Sequence, residues 1–130
     1  MLVRVCDARV EIDETLVKNK TKKEIERDIY DYLRHKRRHF ADYEIDVKPF
    51  TPFQRRVLLE MRHIPLGITV SYKRLAELVG RPRAYRAVAN VCAANPLPII
   101  VPCHRVVGSY SLGGYSGGLN IKKKLLRIEM

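Results

Sequence analysis

Tryptophan is absent from these 130 residues and phenylalanine occurs three times, so any core must be built from aliphatic side chains and some of the seven tyrosines. No apolar run approaches the length of a membrane span. The N-terminus, with Arg4, Asp7 and Arg9 spaced through it, lacks the apolar segment of a signal peptide. Both absences predict an intracellular protein, cytoplasmic or nucleoid-associated, with no membrane partner. Cysteine is scarce. Cys6, Cys92 and Cys103 are widely separated, and neither a CxxC pair nor a zinc-type spacing to His35, His39, His63 or His104 occurs. That argues against a disulfide framework and gives no support to a metal centre. The second part of the chain is short of negative charge: residues 51–130 hold 13 Lys/Arg against 3 Asp/Glu, whereas residues 1–50 hold 12 against 11. A field of one sign suits a polyanion, nucleic acid first and a membrane surface second. Solubility is the plain alternative, and charge alone does not separate them.

The length fits one compact domain, or a small domain with a shorter annex. Residues 1–17 alternate loosely, which predicts one or two short strands. Thr21 as cap, Glu24 three residues on, and Ile25, Ile29, Tyr32 and Leu33 as an apolar stripe predict a helix over 21–39, ending in the basic "RHKRRH" as a solvated helix terminus. "YEIDV" at 43–47 reads as a further strand. At "KPFTPFQ" Thr51, Pro52 and Gln54 form a helix start, with Phe53, Val57, Leu58 and Met61 along one face to about His63. Ser71 caps a second helix that Gly80 stops, and Pro82 opens a third, running to about Ala94. This last pair has a helix-turn-helix layout. Ala84, Val88, Val91 and Cys92 face its core, while Arg83, Arg86, Ala87 and Asn90 face outward as a surface suited to DNA. Many helical hairpins with basic outer faces bind nothing, so the layout by itself leaves both readings open. "IIV" predicts a short buried strand delivering Cys103. A glycine-rich loop over 108–118 follows, then an amphipathic helix with Ile121, Leu125 and Ile128 inward.

A cysteine becomes a nucleophile when a neighbouring His, a cation or backbone donors stabilise its thiolate. Cys103 is followed by His104 and Arg105, but neighbours on an extended strand point to opposite sides. Read locally, a buried packing cysteine is the better account of "PCH".

Taken in order, "TPFQRRVL", "GITVSYKRLAELVG", "RAVANVCAANPLPIIVPCHRVV" and "GGYSGGLNIKKKLLRIE" resemble the O6-alkylguanine-DNA alkyltransferase family over residues 51–130. Ahead of residue 51 only "YDYLRHKRRHF" is similar. The resemblance implies an α+β fold: a short N-terminal α/β region over 1–50, then a mostly helical DNA-binding and active-site domain over 51–130. It implies a monomer that binds double-stranded DNA in the minor groove. There it flips O6-alkylguanine out and takes the alkyl group irreversibly onto its own cysteine, with no cofactor and no metal. In that scheme Cys103 is the acceptor, His104 removes its proton through a water, and Glu129 orients His104. Tyr72 gives a proton to guanine N3, and Arg86 enters the stack where the base left. Arg83, Asn90 and Tyr85 lie along the DNA face. Ser116 donates to O6 within a pocket that includes Tyr115, Gly117 and the carbonyls of Cys103 and Val106. Asn95, Pro102 and Arg105 support the site. Tyr85, Ala89 and Asn90 depart from the small residues common at those positions in relatives. A related class that binds alkylated guanine without reacting lacks the cysteine, a helix-turn-helix regulator leaves "PCHRVV" unused, and a cysteine hydrolase needs an oxyanion hole that no segment defines.

Overall fold

The computed structural model describes residues 1–115 and 117–130. The chain opens as an antiparallel hairpin, β1 (Leu2–Val5) with β2 (Ala8–Glu11), in register Leu2↔Glu11 through Val5↔Ala8. Alternation turns Val3, Val5 and Val10 inward. α1 (Lys22–Leu33) starts on a complete capping box between Thr21 and Glu24 and buries Ile25, Ile29 and Tyr32.

Two expectations for this region need correction. α1 stops at Leu33, so "RHKRRH" is not a helix end. His35 adopts a left-handed backbone (φ 63°), which breaks the helix, and Arg37 then turns inward. Its guanidinium pairs with Asp42 at 2.8 Å and Asp28 at 3.2 Å and lies over the rings of Phe40 and Tyr43. One arginine of the basic run thus folds the linker. "YEIDV" forms a single bridge, Val17↔Ile45, with bonds from Lys18 N to Glu44 O and from Asp46 N to Leu16 O, rather than a strand.

Beyond residue 50, α2 (Pro52–Met61) begins on the Thr51–Gln54 capping box with Pro52 in its first turn. β3 (Val70–Ser71) leads directly into α3 (Tyr72–Leu78), whose first turn is capped by the Ser71 hydroxyl. Gly80, at φ 78°, ends the turn after α3. α4 (Tyr85–Ala93) starts three residues later than Pro82 predicted, because Arg81–Ala84 form a turn closed by Ala84 N to Arg81 O. Arg83 therefore sits in the turn of the helix-turn-helix and not on its second helix. α2, α3 and α4 pack against one another, burying Val57, Leu75, Ala76 and Val88.

"IIV" is likewise not a strand. Ile99 has φ 73° and makes a tight turn with Ile100, bridged from Pro98 to Val101. Cys103 is delivered on a 3₁₀ turn, Cys103–Arg105, that runs into β4 (Val106–Val107). β4 pairs in parallel with β3, Val70↔Val106 and Ser71↔Val107, so the start of α3 and the cysteine turn share one joint. α5 (Leu119–Glu129) closes the fold and buries Ile121, Lys122, Leu125 and Glu129; Ile128, expected inward, is only half-buried. Buried apolar side chains from both sides of residue 50 join one hydrophobic cluster. Among the described residues no helix is long and apolar enough to cross a membrane.

Candidate active site

Asn95, the residue after the C-cap of α4, shapes the approach to Cys103. Its side chain does not turn back onto the helix. Nδ2 donates to Val101 O at 2.9 Å and Oδ1 accepts from Leu97 N at 3.0 Å, which ties both ends of the Ile99 turn. Pro102 O accepts from Arg105 N and closes the 3₁₀ turn. Cys103 is 4 % exposed. Burial pushes its thiol pKa up, while a side-chain hydrogen bond from Asn95 and the charge of Lys122 pull the other way. Cys92, at the core face of α4, is pushed up to about 12 by burial and contacts Met61 Sδ at 3.6 Å, as a packing residue does.

His104 and Glu129 are both buried, and His104 Nε2 lies 2.7 Å from Glu129 Oε2. Arg105 donates Nε to Oε1 and Nη2 to Oε2 of the same carboxylate, each at 2.8 Å, and Nη1 to Ile64 O at 2.7 Å. The Tyr32 hydroxyl also donates to Oε2. Burial alone would raise the Glu129 pKa, but the His104 and Arg105 hydrogen bonds outweigh it and hold the carboxyl well below the usual range. An ionised carboxylate only accepts, so Nε2 must carry the imidazole proton. Burial lowers the His104 pKa and keeps the ring neutral. The remaining nitrogen, Nδ1, is then a free lone pair, and it is buried with no hydrogen-bond partner among the described residues. A neutral imidazole in this tautomer, its far side fixed by a carboxylate, is a ready proton acceptor.

Tyr72, first residue of α3, is half-buried beneath the 108–115 loop. Burial raises its pKa, with a backbone hydrogen bond at Gly114 opposing. Lys122 is fully buried. Its ammonium donates to Val106 O at 2.7 Å and Gly114 O at 3.0 Å and lies 5.9 Å from the centre of the Tyr72 ring. The Tyr115 hydroxyl is buried and, among the described residues, unpartnered; burial raises its pKa. A Cβ on Gly117 would meet Tyr115 Cε2 at 3.0 Å, so this glycine gives the ring its room. Ser116 lies outside the described residues.

Arg83, Tyr85, Arg86 and Asn90 are exposed on the helix-turn-helix, and among the described residues none is hydrogen-bonded to His104, Arg105 or Glu129. Lys73, on α3, lies over the Tyr85 ring at 5.6 Å, so this tyrosine is held against the neighbouring helix. Lys122 and Tyr32 enter the cluster without having been singled out from the sequence as site residues. Lys122 was hidden in "KKK". Its spacing to Leu125 and Glu129 (i, i+3, i+7) puts all three on one helical face, and that periodicity was the available signal.

The fold and cluster define a class: a helix-turn-helix domain carrying a buried cysteine backed by a carboxylate-fixed histidine. The family model described as "6-O-methylguanine DNA methyltransferase, DNA binding domain" matches residues 52–130. This chain belongs to that family. A probable methylated-DNA–protein-cysteine methyltransferase of Acanthamoeba polyphaga mimivirus is 46 % identical over 101 residues, covering 78 % of this chain and 67 % of the viral protein. The bifunctional transcriptional activator/DNA repair enzyme Ada of Escherichia coli is 55 % identical over 80 residues, and the chain spans only 23 % of its length. The structure of Mycobacterium tuberculosis OGT in complex with DNA is similar at TM-score 0.77 and 31 % identity, over 98 % of this chain and 84 % of that one.

Proposed function

We propose that the protein repairs DNA by flipping O6-alkylguanine out of the duplex and transferring the alkyl group irreversibly to Cys103. One observation carries this reading: the buried Cys103 is followed directly by His104, whose Nε2 is fixed by Glu129 and whose Nδ1 has no partner among the described residues. In the proposed reaction the thiol proton passes through water to His104 Nδ1. The thiolate attacks the alkyl carbon in line, a C–S bond forms as the C–O6 bond breaks, and the electron pair goes to the guanine. Tyr72 supplies the proton that N3 takes up, so one proton leaves the thiol and one arrives on the base. The thioether has no route back, and each molecule acts once.

Residues 51–130 would form the DNA-binding and active-site domain and residues 1–50 a short N-terminal region. The outer face of the helix-turn-helix would contact the minor groove, with Arg86 in the gap left by the flipped base and Arg83, Tyr85 and Asn90 beside it. Flipping is required because O6 within a stacked pair is out of reach of a pocket-bound sulfur. The pocket would comprise Ser116, Tyr115, Gly117 and the Cys103 and Val106 carbonyls, with Asn95, Pro102 and Arg105 supporting the turn. A monomer suffices for all of these roles. A DNA-binding regulator without chemistry would have no use for a His104 whose Nε2 is fixed by Glu129 and whose buried Nδ1 has no partner among the described residues.

The test is an intact mass after incubation with duplex DNA carrying O6-methylguanine. The expected result is a stoichiometric gain of one methyl group on the peptide holding Cys103, absent in Cys103→Ser. Turnover, or binding with no mass change, would overturn the reading.

A further inference from the structure

Glu129 Oε2 receives three donors: His104 Nε2, Arg105 Nη2 and the Tyr32 hydroxyl. The first two come from the cysteine's own turn. Tyr32 comes from α1, 97 residues earlier in the chain, and among the described residues it is the one side chain ahead of residue 51 hydrogen-bonded to this cluster. Its ring is 2 % exposed and packs against Phe40 at 5.9 Å between centroids. Packing alone asks only for the ring, and a phenylalanine would fill the same space. The hydroxyl, aimed at the oxygen that faces His104, is the feature packing does not explain.

We propose that Tyr32 is a positioning residue for the alkyl transfer, its hydroxyl holding Glu129 and setting, through it, the basicity of His104 toward the Cys103 thiol. This rests on the reading of Cys103 as alkyl acceptor. Donation to Oε2 draws charge away from the oxygen that His104 Nε2 meets. Without it the carboxylate binds an imidazolium more strongly, and His104 becomes protonated at a higher pH. A protonated Nδ1 accepts nothing, so the acidic limb of the reaction moves upward. The other groups facing the pair are Arg105 on the cysteine's turn and Lys122 on α5, and the Tyr115 hydroxyl faces Tyr32 from the loop before α5. Neither Arg105 nor Lys122 bonds to the Tyr32 hydroxyl, so Tyr32→Phe leaves their own hydrogen-bond partners in place. The short N-terminal region thereby becomes part of the reactive machinery.

The experiment compares wild type with Tyr32→Phe. Benzyl transfer from free O6-benzylguanine and alkylation by iodoacetamide are each followed on the peptide holding Cys103, since Cys6 is also a free and exposed thiol, between about pH 5 and pH 9. The expected result is an acidic limb raised by about half a pH unit, hence rates about threefold lower on that limb, with convergence at high pH. In a Glu129→Gln background Tyr32→Phe should add no shift. Superimposable profiles in both assays would overturn the proposal. So would uniform slowing at every pH that persists beside Glu129→Gln, which marks a packing role. A shifted iodoacetamide profile with no benzyl transfer in wild type would sink the alkyltransferase reading and leave the hold of Tyr32 on His104 standing.

Discussion

The backbone of Gly113 rests on the ring of Tyr72, so close that a Cβ at this position would come within 2.8 Å of Cε2. Gly113 also has φ 73°, a conformation an L side chain adopts at a cost. Gly113→Ala is expected to destabilise the protein by about 1–2 kcal/mol and to loosen the loop over Tyr72. At Gly114 a Cβ meets nothing within 4 Å. Gly114→Ala should stay within about 0.5 kcal/mol of wild type. Thermal melts of the two variants check the contrast, and equal effects would refute the close contact.

Lys122 joins the 108–115 loop to β4 through two carbonyls, and its positive charge lowers the pKa of the Cys103 thiol. Lys122→Met removes both donors and the charge. It should cost about 1–3 kcal/mol for the buried Val106 carbonyl, whereas the exposed Gly114 can turn to water, and the Cys103 thiol should then ionise at higher pH. The pH profile of iodoacetamide labelling reads the second effect. A midpoint at or below that of wild type would contradict it.

Glu129 and His104 also make stability depend on pH, and both in the same direction. Each has a folded pKa held below its unfolded value, so the unfolded chain binds more protons and acid favours it. The His104 contribution is complete above about pH 6.5 and the Glu129 contribution above about pH 4.3, and each is lost as the pH falls through the folded value. Urea unfolding should show stability declining below neutrality, and Glu129→Gln should flatten the most acidic part of that decline. Constant stability between about pH 7 and pH 5 would mean that His104 is not held neutral.

Arg86 is exposed on α4. Arg86→Ala should slow methyl transfer from duplex DNA by at least about tenfold, since an inserted side chain offsets unstacking worth a few kcal/mol. Reaction with free O6-benzylguanine should be unaffected. Equal slowing of both would remove the base-flipping role.

Local chemistry made much of the fold legible before any coordinates. Both capping boxes, at Thr21 and Thr51, and the Ser71 cap start their helices where the sequence placed them, because a cap is satisfied within four residues. What the sequence hid were tertiary effects. "RHKRRH" looked like a solvated helix end, but Asp28, Asp42 and two aromatic rings drew Arg37 inward. "IIV" had the composition of a strand, but Asn95 ties Leu97 and Val101 into a turn instead. That change matters for the site. The argument against His104 rested on strand geometry, and on a 3₁₀ turn consecutive side chains no longer point to opposite faces. Glu129 and Arg105 were placed at the site by family resemblance; the bidentate pairing between them is a contact across 24 residues that no local pattern encodes.

The carboxylate that fixes His104 comes from the last turn of α5. On the ribosome Tyr32 is made first, then Cys103, His104 and Arg105, and Glu129 last. Until α5 emerges and docks, the imidazole has no fixed tautomer, and under the proposed reading the thiol then has no oriented base, so a nascent chain would carry its cysteine unarmed. A protein that reacts once would gain from that order of synthesis: under the proposed reading its one acceptor thiol is not primed until the fold that aims it is complete.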